Sequence, residues 1–272
     1  MAQATREAAV AGQFYPRDRE LLKKQISDFI SKAKKSGQKE KSSAVIAPHA
    51  GLIYSGQTAA YSFNALQAAE TFLIVSPNHT GVGERISVFP AGKWEMPLGE
   101  IEIDWKLSEK ICLELGIEPD ESAHIGEHSI EVQLPFLQFV YGNKFRLVAI
   151  TIAENRLREL KKLGEAIANA CKGESVSLIA SSDFSHFIPL KAAKKRDSEA
   201  IGFIERIDLD GFHKTVLEKY YSICGFAPIT ALMHCCKING FKGAELLRYD
   251  SSATESGDEG SVVGYAAIKF LK

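Results

Sequence analysis

The chain has 272 residues, 45% of them hydrophobic and 25% charged, with a formal charge of −1 from 33 basic and 34 acidic side chains. That length and apolar share allow one large α/β domain or two small ones, with a core that needs no disulfides. The charge balance excludes a general attraction to nucleic acid or to an anionic membrane. Five cysteines without framework spacing, no long apolar segment at the start and no run of transmembrane length point to a reducing, cytoplasmic setting.

Residues 1–16 are small and polar up to Gly12-Gln13-Phe14-Tyr15-Pro16. Two aromatics before a proline are expected either to pack on the body as a terminal arm or to wall a binding cleft. Asp18 reads as the N-cap of a helix with Leu21, Leu22, Ile26, Phe29 and Ile30 on one face, ended by the basic run 32–41. The apolar, β-branched run 44–47 reads as a buried strand that Pro48 breaks just before His49. A helix is expected over 55–66. A second strand, 72–75, runs into Pro77-Asn78-His79. Residues 86–90 read as a strand and 94–99 as a loop into a short strand, 100–103. Asp104 can cap a helix that Gly116 stops. A helix starting at His128 or Ser129 would carry Ile130, Leu134, Leu137 and Val140 through Pro135. Then come a central strand at 145–152, a helix at 155–171 and a strand at 176–180 that runs into Ser181-Ser182-Asp183-Phe184-Ser185-His186. Two helices fill 190–220, with 208–211 as the turn between them. Residues 222–229 open a helix ending near Gly240, and strands at 244–249 and 262–271 close the chain around a loop at 250–260. Strands alternate with helices, and no repeat or linker interrupts them. The fold class is therefore α/β: a single domain, with a mixed β-sheet and helices on both faces.

Three buried strands thus deliver polar, titratable side chains just past their ends, where open α/β sheets place ligands. Of the seven histidines, His49, His79, His128 and His186 fall in strand-end or helix-start loops, while His213 and His234 read as ordinary residues of helices. One loop histidine alone is usually structural, but several strand ends converging on a crevice favour a metal site. Imidazole joined by a thiolate or carboxylate suits iron, copper or zinc, and the third ligand could be Asp183, Glu131 or Cys224. Cys224 precedes a predicted helix start, where N–H groups and the dipole favour a thiolate. The bland alternative is a buried free cysteine, as Cys112 and Cys171 are read, with Cys235 and Cys236 facing different ways on one helix. Asp183 and His186 can form a proton-handling pair or orient a ligand, unless the loop only caps a helix. Glu127-His128 and Glu131 carry the same ambiguity. The chain has no GxGxxG, Walker loop, HExxH or CxxC, so neither a nucleotide cofactor nor a structural zinc finger is indicated.

Six blocks stand in order along the chain: AGQFYP, APHAGLIYSG, SPNHTG, EHSIEVQLPF, SSDFSHF and CGFAPI, with GSVVGYAAI closing it. Together they resemble the Memo family, in its prokaryotic and archaeal branch (the AmmeMemoRadiSam system protein B type), over nearly the whole chain. The resemblance implies one domain over residues 1–272, similar in fold to the class III extradiol non-haem iron dioxygenases. It implies a cleft in which His49, His79 and Cys224 ligate an iron or copper ion, with Asp183 and His186 beside them. Phe14, Tyr54 and His128 would contact the ligand. The dioxygenases carry a carboxylate where this chain has Cys224, a departure that argues against ring cleavage. Eukaryotic relatives are linked to phosphotyrosine-peptide binding, cell motility and copper-dependent redox chemistry, and the animal proteins carry tryptophan where this chain has Phe14. Two functions follow as expectations. One is a metal-dependent oxidoreductase of unnamed substrate, with His186 moving a proton and Asp183 orienting it. The other is a non-catalytic binding module that captures a peptide or a small anionic ligand in the same cleft.

Overall fold

The fold is built on a sheet whose central strands are continuous apolar runs. The computed structural model describes residues 4–37 and 40–272; the basic run 32–41 includes Gln38 and Lys39, which with residues 1–3 lie outside the described residues. In chain order, β1 (Ala4–Glu7) precedes α1 (Arg19–Lys34), β2 (Ala44–Ala47), α2 (Leu52–Ala65) and β3 (Thr71–Pro77). Then come β4 (Ile86–Val88), β5 (Gly92–Met96), β6 (Gly99–Ile103) and α3 (Trp105–Leu115). A 3₁₀ turn at Glu131–Gln133 leads into α4 (Leu134–Tyr141), β7 (Arg146–Ile152), α5 (Leu157–Ala170) and β8 (Val176–Ser181). The remainder is β9 (His186–Ile188), α6 (Leu190–Glu205), α7 (Leu209–Glu218), α8 (Phe226–Ile238), β10 (Gly243–Ser251), α9 (Ala253–Ser256) and β11 (Val262–Leu271).

The strands form one 11-stranded mixed sheet in the order β1-β5-β6-β7-β3-β8-β2-β11-β10, with β4 on β7 and β9 on β11. Strands β6, β7, β3, β8 and β2 run parallel, so their carboxyl ends share one edge. Side chains alternate across this parallel block. Leu73, Val75, Val148 and Ile150 face the core under α3, α5, α7 and α8. Phe72, Ile74, Leu147 and Ala149 face the core under α1, α2 and α4. Helices thus cover both faces, as parallel strands require. None of the helices among the described residues is long and apolar enough to cross a membrane.

Several local expectations change. Asp18 caps α1 as expected, through Glu20 and Leu21 N–H, but the buried stripe is Leu22, Ile26, Ile30 and Ala33, while Leu21 is 61% exposed. Helix α2 begins at Leu52, because Leu52 N–H finds the Phe14 carbonyl at 2.7 Å. Of residues 94–99 only Pro97 and Leu98 form a turn: Trp94–Met96 end β5, with Trp94 paired to Ile101, and Gly99 opens β6. The helix expected from residue 128 starts only at Leu134, with Pro135 in its first turn, where a missing N–H costs nothing. Asp208 is the N-cap of α7, so 209–211 are already helical. Segment 250–260 holds the end of β10 and α9. The Asp104 cap and the left-handed Gly116 stand where expected.

Candidate metal centre

The parallel register sets the site. Ala47 of β2 pairs with Ser181 of β8, and β8 pairs with β3. The residues just past these three ends, His49, Asp183 and His79, are therefore neighbours. His49 is 2% exposed. Its N–H donates to Asp183 Oδ1 at 2.9 Å, its Nδ1 lies 2.8 Å from Ser181 Oγ, and its Nε2 lies 3.2 Å from Cys224 Sγ. His79 is turned by Glu127, whose Oε1 is 2.9 Å from His79 Nδ1 and whose Oε2 accepts the His79 N–H. Cys224 Sγ accepts the Asp183 N–H at 3.3 Å, and Gly225 N–H donates to Ser182 Oγ at 3.0 Å. One donor atom each from His49, His79 and Cys224 lie within 4.8 Å of one another. Bonds of about 2.0–2.3 Å to a tetrahedral metal place N and S donors about 3.3–3.8 Å apart, so a single ion fits this set with small movements.

A second group, His79, Glu127 and His128, has its donor atoms equally close. Glu127, however, is already filled by His79 and by the N–H groups of His128 and Ser129. The His128 ring stacks on His79 (centroids 4.7 Å apart) and carries Phe14 on it at 4.6 Å. Phe14 therefore belongs to an arm packed on the body, with its ring against His128. Tyr54 sits on the first turn of α2, 43% exposed, and among the described residues no ring contact joins it to the histidines. A cavity of about 540 Å³ opens beside His79, His186 and Cys224, with Asn78, Phe187 and Phe226 among its walls.

Burial favours the neutral forms of His49 and Cys224, while hydrogen bonds keep Glu127 ionised. Burial, then the charges of His128 and His79, pushes the His49 imidazole well below its ordinary value. Burial, then the Asp183 charge, pushes the Cys224 thiol well above its own. Burial here outweighs the hydrogen bonds from Asp183 N–H and Gly225 N–H that favour the expected thiolate. Burial alone would raise the Glu127 carboxyl, but hydrogen bonds from His79, Ser129 N–H and His79 N–H hold it far below the usual carboxylate range.

Two expectations about partners are corrected. Asp183 does not orient the His186 ring: its Oδ1 holds the His49 backbone, while His186 Nδ1 lies 2.7 Å from the carbonyls of both Phe184 and Ser222. Glu131 is no third ligand. It is fully buried, paired with Arg6 at 2.8 Å, and accepts from Ala9 N–H, Val10 N–H and Tyr15 Oη–H. Ser181 and Gln133, which sequence reasoning missed, turn out to frame His49. The available signal was the polar alternation Glu127, Ser129, Glu131, Gln133 inside an apolar stretch.

The fold and site define an α/β protein with two histidines and a cysteine gathered at the carboxyl edge of its parallel strands. Residues 6–269 match the family described as Memo-like protein. The chain is 39% identical to a "MEMO1 family protein" of Methanopyrus kandleri, over 98% of this chain and 99% of that one. It is 36% identical to proteins of the same description from Nitrosopumilus maritimus (98% and 99% covered) and Aquifex aeolicus (98% and 99%). The chain belongs to the Memo family. An uncharacterized Escherichia coli K12 protein of known structure superposes with a TM-score of 0.52 at 13% identity, over 83% of this chain and 98% of that one, a likeness of fold alone.

Proposed function

We propose that this protein holds one redox-active iron or copper ion through His49, His79 and Cys224 and works as a metal-dependent oxidoreductase on a small substrate. The observation that carries this reading is the donor set itself, two imidazoles and a thiol within 4.8 Å beside an open cavity. A mixed nitrogen–sulfur set suits copper, iron and zinc rather than calcium or magnesium. A bound iron or copper ion, held by His49, His79 and Cys224, would supply one-electron redox chemistry there. The chain's own residues do the rest. His186 Nδ1 faces two carbonyl oxygens, so it carries the proton, and Nε2 is left to accept or return a proton in the cavity. Phe14 packs on the His128 ring beside His79.

The second reading, a binding module for a peptide or small anion, draws support from the open cavity beside His79, His186 and Cys224. Metal content separates the two. Protein prepared anaerobically is expected to contain near-stoichiometric iron or copper, lost in Cys224→Ser and in His49→Ala. Stoichiometric zinc in place of either would keep the site and remove the redox chemistry. A wild type that stays empty when offered Fe(II) or Cu(I) would reject the metal reading and leave the binding module, to be probed with phosphorylated peptides.

A further inference from the structure

We infer that the EHSIEVQ stretch, Glu127 to Gln133, is an orienting block that fixes both histidines of the centre as Nδ1–H tautomers, leaving each Nε2 as an acceptor. The inference deepens the metal reading above and uses residues outside the ligand set. It follows from counting protons along two hydrogen-bond chains.

The first chain ends on His49. Gln133 Nε2 lies 3.0 Å from the Pro48 carbonyl, 3.4 Å from the Ala47 carbonyl and 2.7 Å from Ser181 Oγ, while Gln133 Oε1 is buried without a partner. Two carbonyl neighbours require nitrogen, not oxygen, at that position. Gln133 therefore donates to Ser181 Oγ. Ser181 Oγ also lies 2.7 Å from the Ser129 carbonyl, which can only accept, so the single hydroxyl proton goes there. What remains on Ser181 is one lone pair, and His49 Nδ1 sits on it at 2.8 Å. His49 must donate from Nδ1. Its Nε2 is then an acceptor, and Cys224 Sγ stands 3.2 Å away to supply it.

The second chain ends on His79. Glu127 Oε1 takes the N–H groups of His128 and Ser129, each at 2.9 Å, and Oε2 takes the N–H of His79. Three backbone donors converging on a 1%-exposed carboxylate make it an acceptor throughout, so His79 Nδ1, 2.9 Å from Oε1, donates as well. The two chains meet at Ser129: its N–H goes to Glu127, its carbonyl takes Ser181, and its own hydroxyl is anchored on the Pro77 carbonyl just before Asn78-His79. One rigid peptide thereby sets the ring planes of two histidines carried on different strands. Residues in this position fix the tautomer and orientation of metal-binding imidazoles.

The test reads the tautomers directly in metal-free protein. Long-range ¹H–¹⁵N correlation of the imidazoles at about pH 8, where imidazoles are neutral, is expected to find His49 and His79 both protonated on Nδ1. Ser181→Ala and Gln133→Leu are expected to give His49 a mixture of tautomers and leave His79 unchanged, while Glu127→Gln disturbs His79 and spares His49. Ser181→Thr, which keeps the hydroxyl, is expected to restore His49. Titration with Co(II) is expected to show Ser181→Ala and Glu127→Gln each binding about 10–100-fold more weakly than wild type. Nε2–H on either histidine in the wild type, or tautomers that ignore these substitutions, overturns the inference. Nδ1–H tautomers that respond as described, in a wild type that binds no metal, would sink the metal reading and leave the orienting block standing.

Discussion

The carbonyl oxygen of Ser181 lies where a side chain on Gly225 would have to be: a Cβ there would come within 2.4 Å of it, and equally close to Ser182 Cβ. The end of β8 and the start of α8 touch backbone to backbone, and Cys224 is held beside His49 by that contact. Gly225 has a negative φ, so the demand is for space rather than for a left-handed conformation.

Gly225→Ala is therefore expected to push α8 off the strand end. Overpacking of this kind costs about 1–3 kcal/mol, readable as a lower denaturant midpoint. Because the displaced segment carries Cys224, the same variant should also retain less metal than wild type. Unchanged stability and unchanged metal content together would mean that the contact relaxes without moving Cys224.

His124 makes stability depend on pH. It is fully buried against Phe89 and Trp94, and its Nδ1 has no hydrogen-bond partner. Burial, then the Arg6 charge, pushes its imidazole down to about 4. The unfolded imidazole binds a proton below about 6.5 and the folded one only below about 4, so the contribution is complete above pH 6.5 and shrinks as pH falls between those values. The full loss is about 3 kcal/mol, an order-of-magnitude figure. His124→Phe is expected to flatten the fall in stability between pH 7 and pH 4, measured by chemical denaturation at several pH values. A slope equal to that of the wild type would assign the dependence to His49 and His128 instead.

The sheet was legible because buried parallel strands are written as unbroken apolar runs: Phe72 to Val75 and Leu147 to Ile150 could hardly be anything else. Strands β1 and β5 were not legible, since Thr5-Arg6-Glu7 and Lys93-Trp94-Glu95 are mostly polar and become strands through pairing, β1 on β5 and β5 also on β6. Leu21 and Leu22 are equally apolar, and only the packing of α1 decides that Leu22 is the one inside. The site divides in the same way. His49, His79 and Cys224 stand out beside Pro48, Pro77 and Gly225, at breaks between elements. Gln133 and Ser181 look like a helix residue and a loop cap, and their role exists only once β2 and β8 are in register.

Asp104 ties three elements together. It caps α3 through Leu107 N–H at 3.3 Å, accepts Thr71 Oγ1–H at the start of β3 at 2.6 Å, and meets Arg146 Nε at the start of β7 at 3.2 Å. Asp104→Ala is expected to cost about 2 kcal/mol, a cap of about 1 plus the buried bond to Thr71. Asp104→Asn keeps an oxygen for the cap and should cost about half as much. Equal costs for the two, in thermal or denaturant unfolding, would show that the charge facing Arg146 matters more than the cap.

Arg6 and Glu131 form a buried pair whose removal should be felt at the cleft. Their side chains are 2% and 0% exposed and 2.8 Å apart. Arg6 also donates to the carbonyls of His124 (2.6 Å) and Glu127 (2.7 Å) and lies 4.1 Å over the Trp94 ring. Glu131 holds the arm from Ala9 to Tyr15, which delivers Phe14 to His128. Removing one partner leaves an uncompensated buried charge, a loss of about 3–5 kcal/mol. Arg6→Met is expected to destabilise by that amount and to loosen the arm. Arg6→Met with Glu131→Gln removes both charges and should recover part of the loss. The measurement is a double-mutant cycle in denaturant, read alongside proteolytic cleavage within residues 9–15. A cycle in which the two substitutions simply add would mean that Glu131 anchors the arm through Tyr15 and the backbone without help from Arg6.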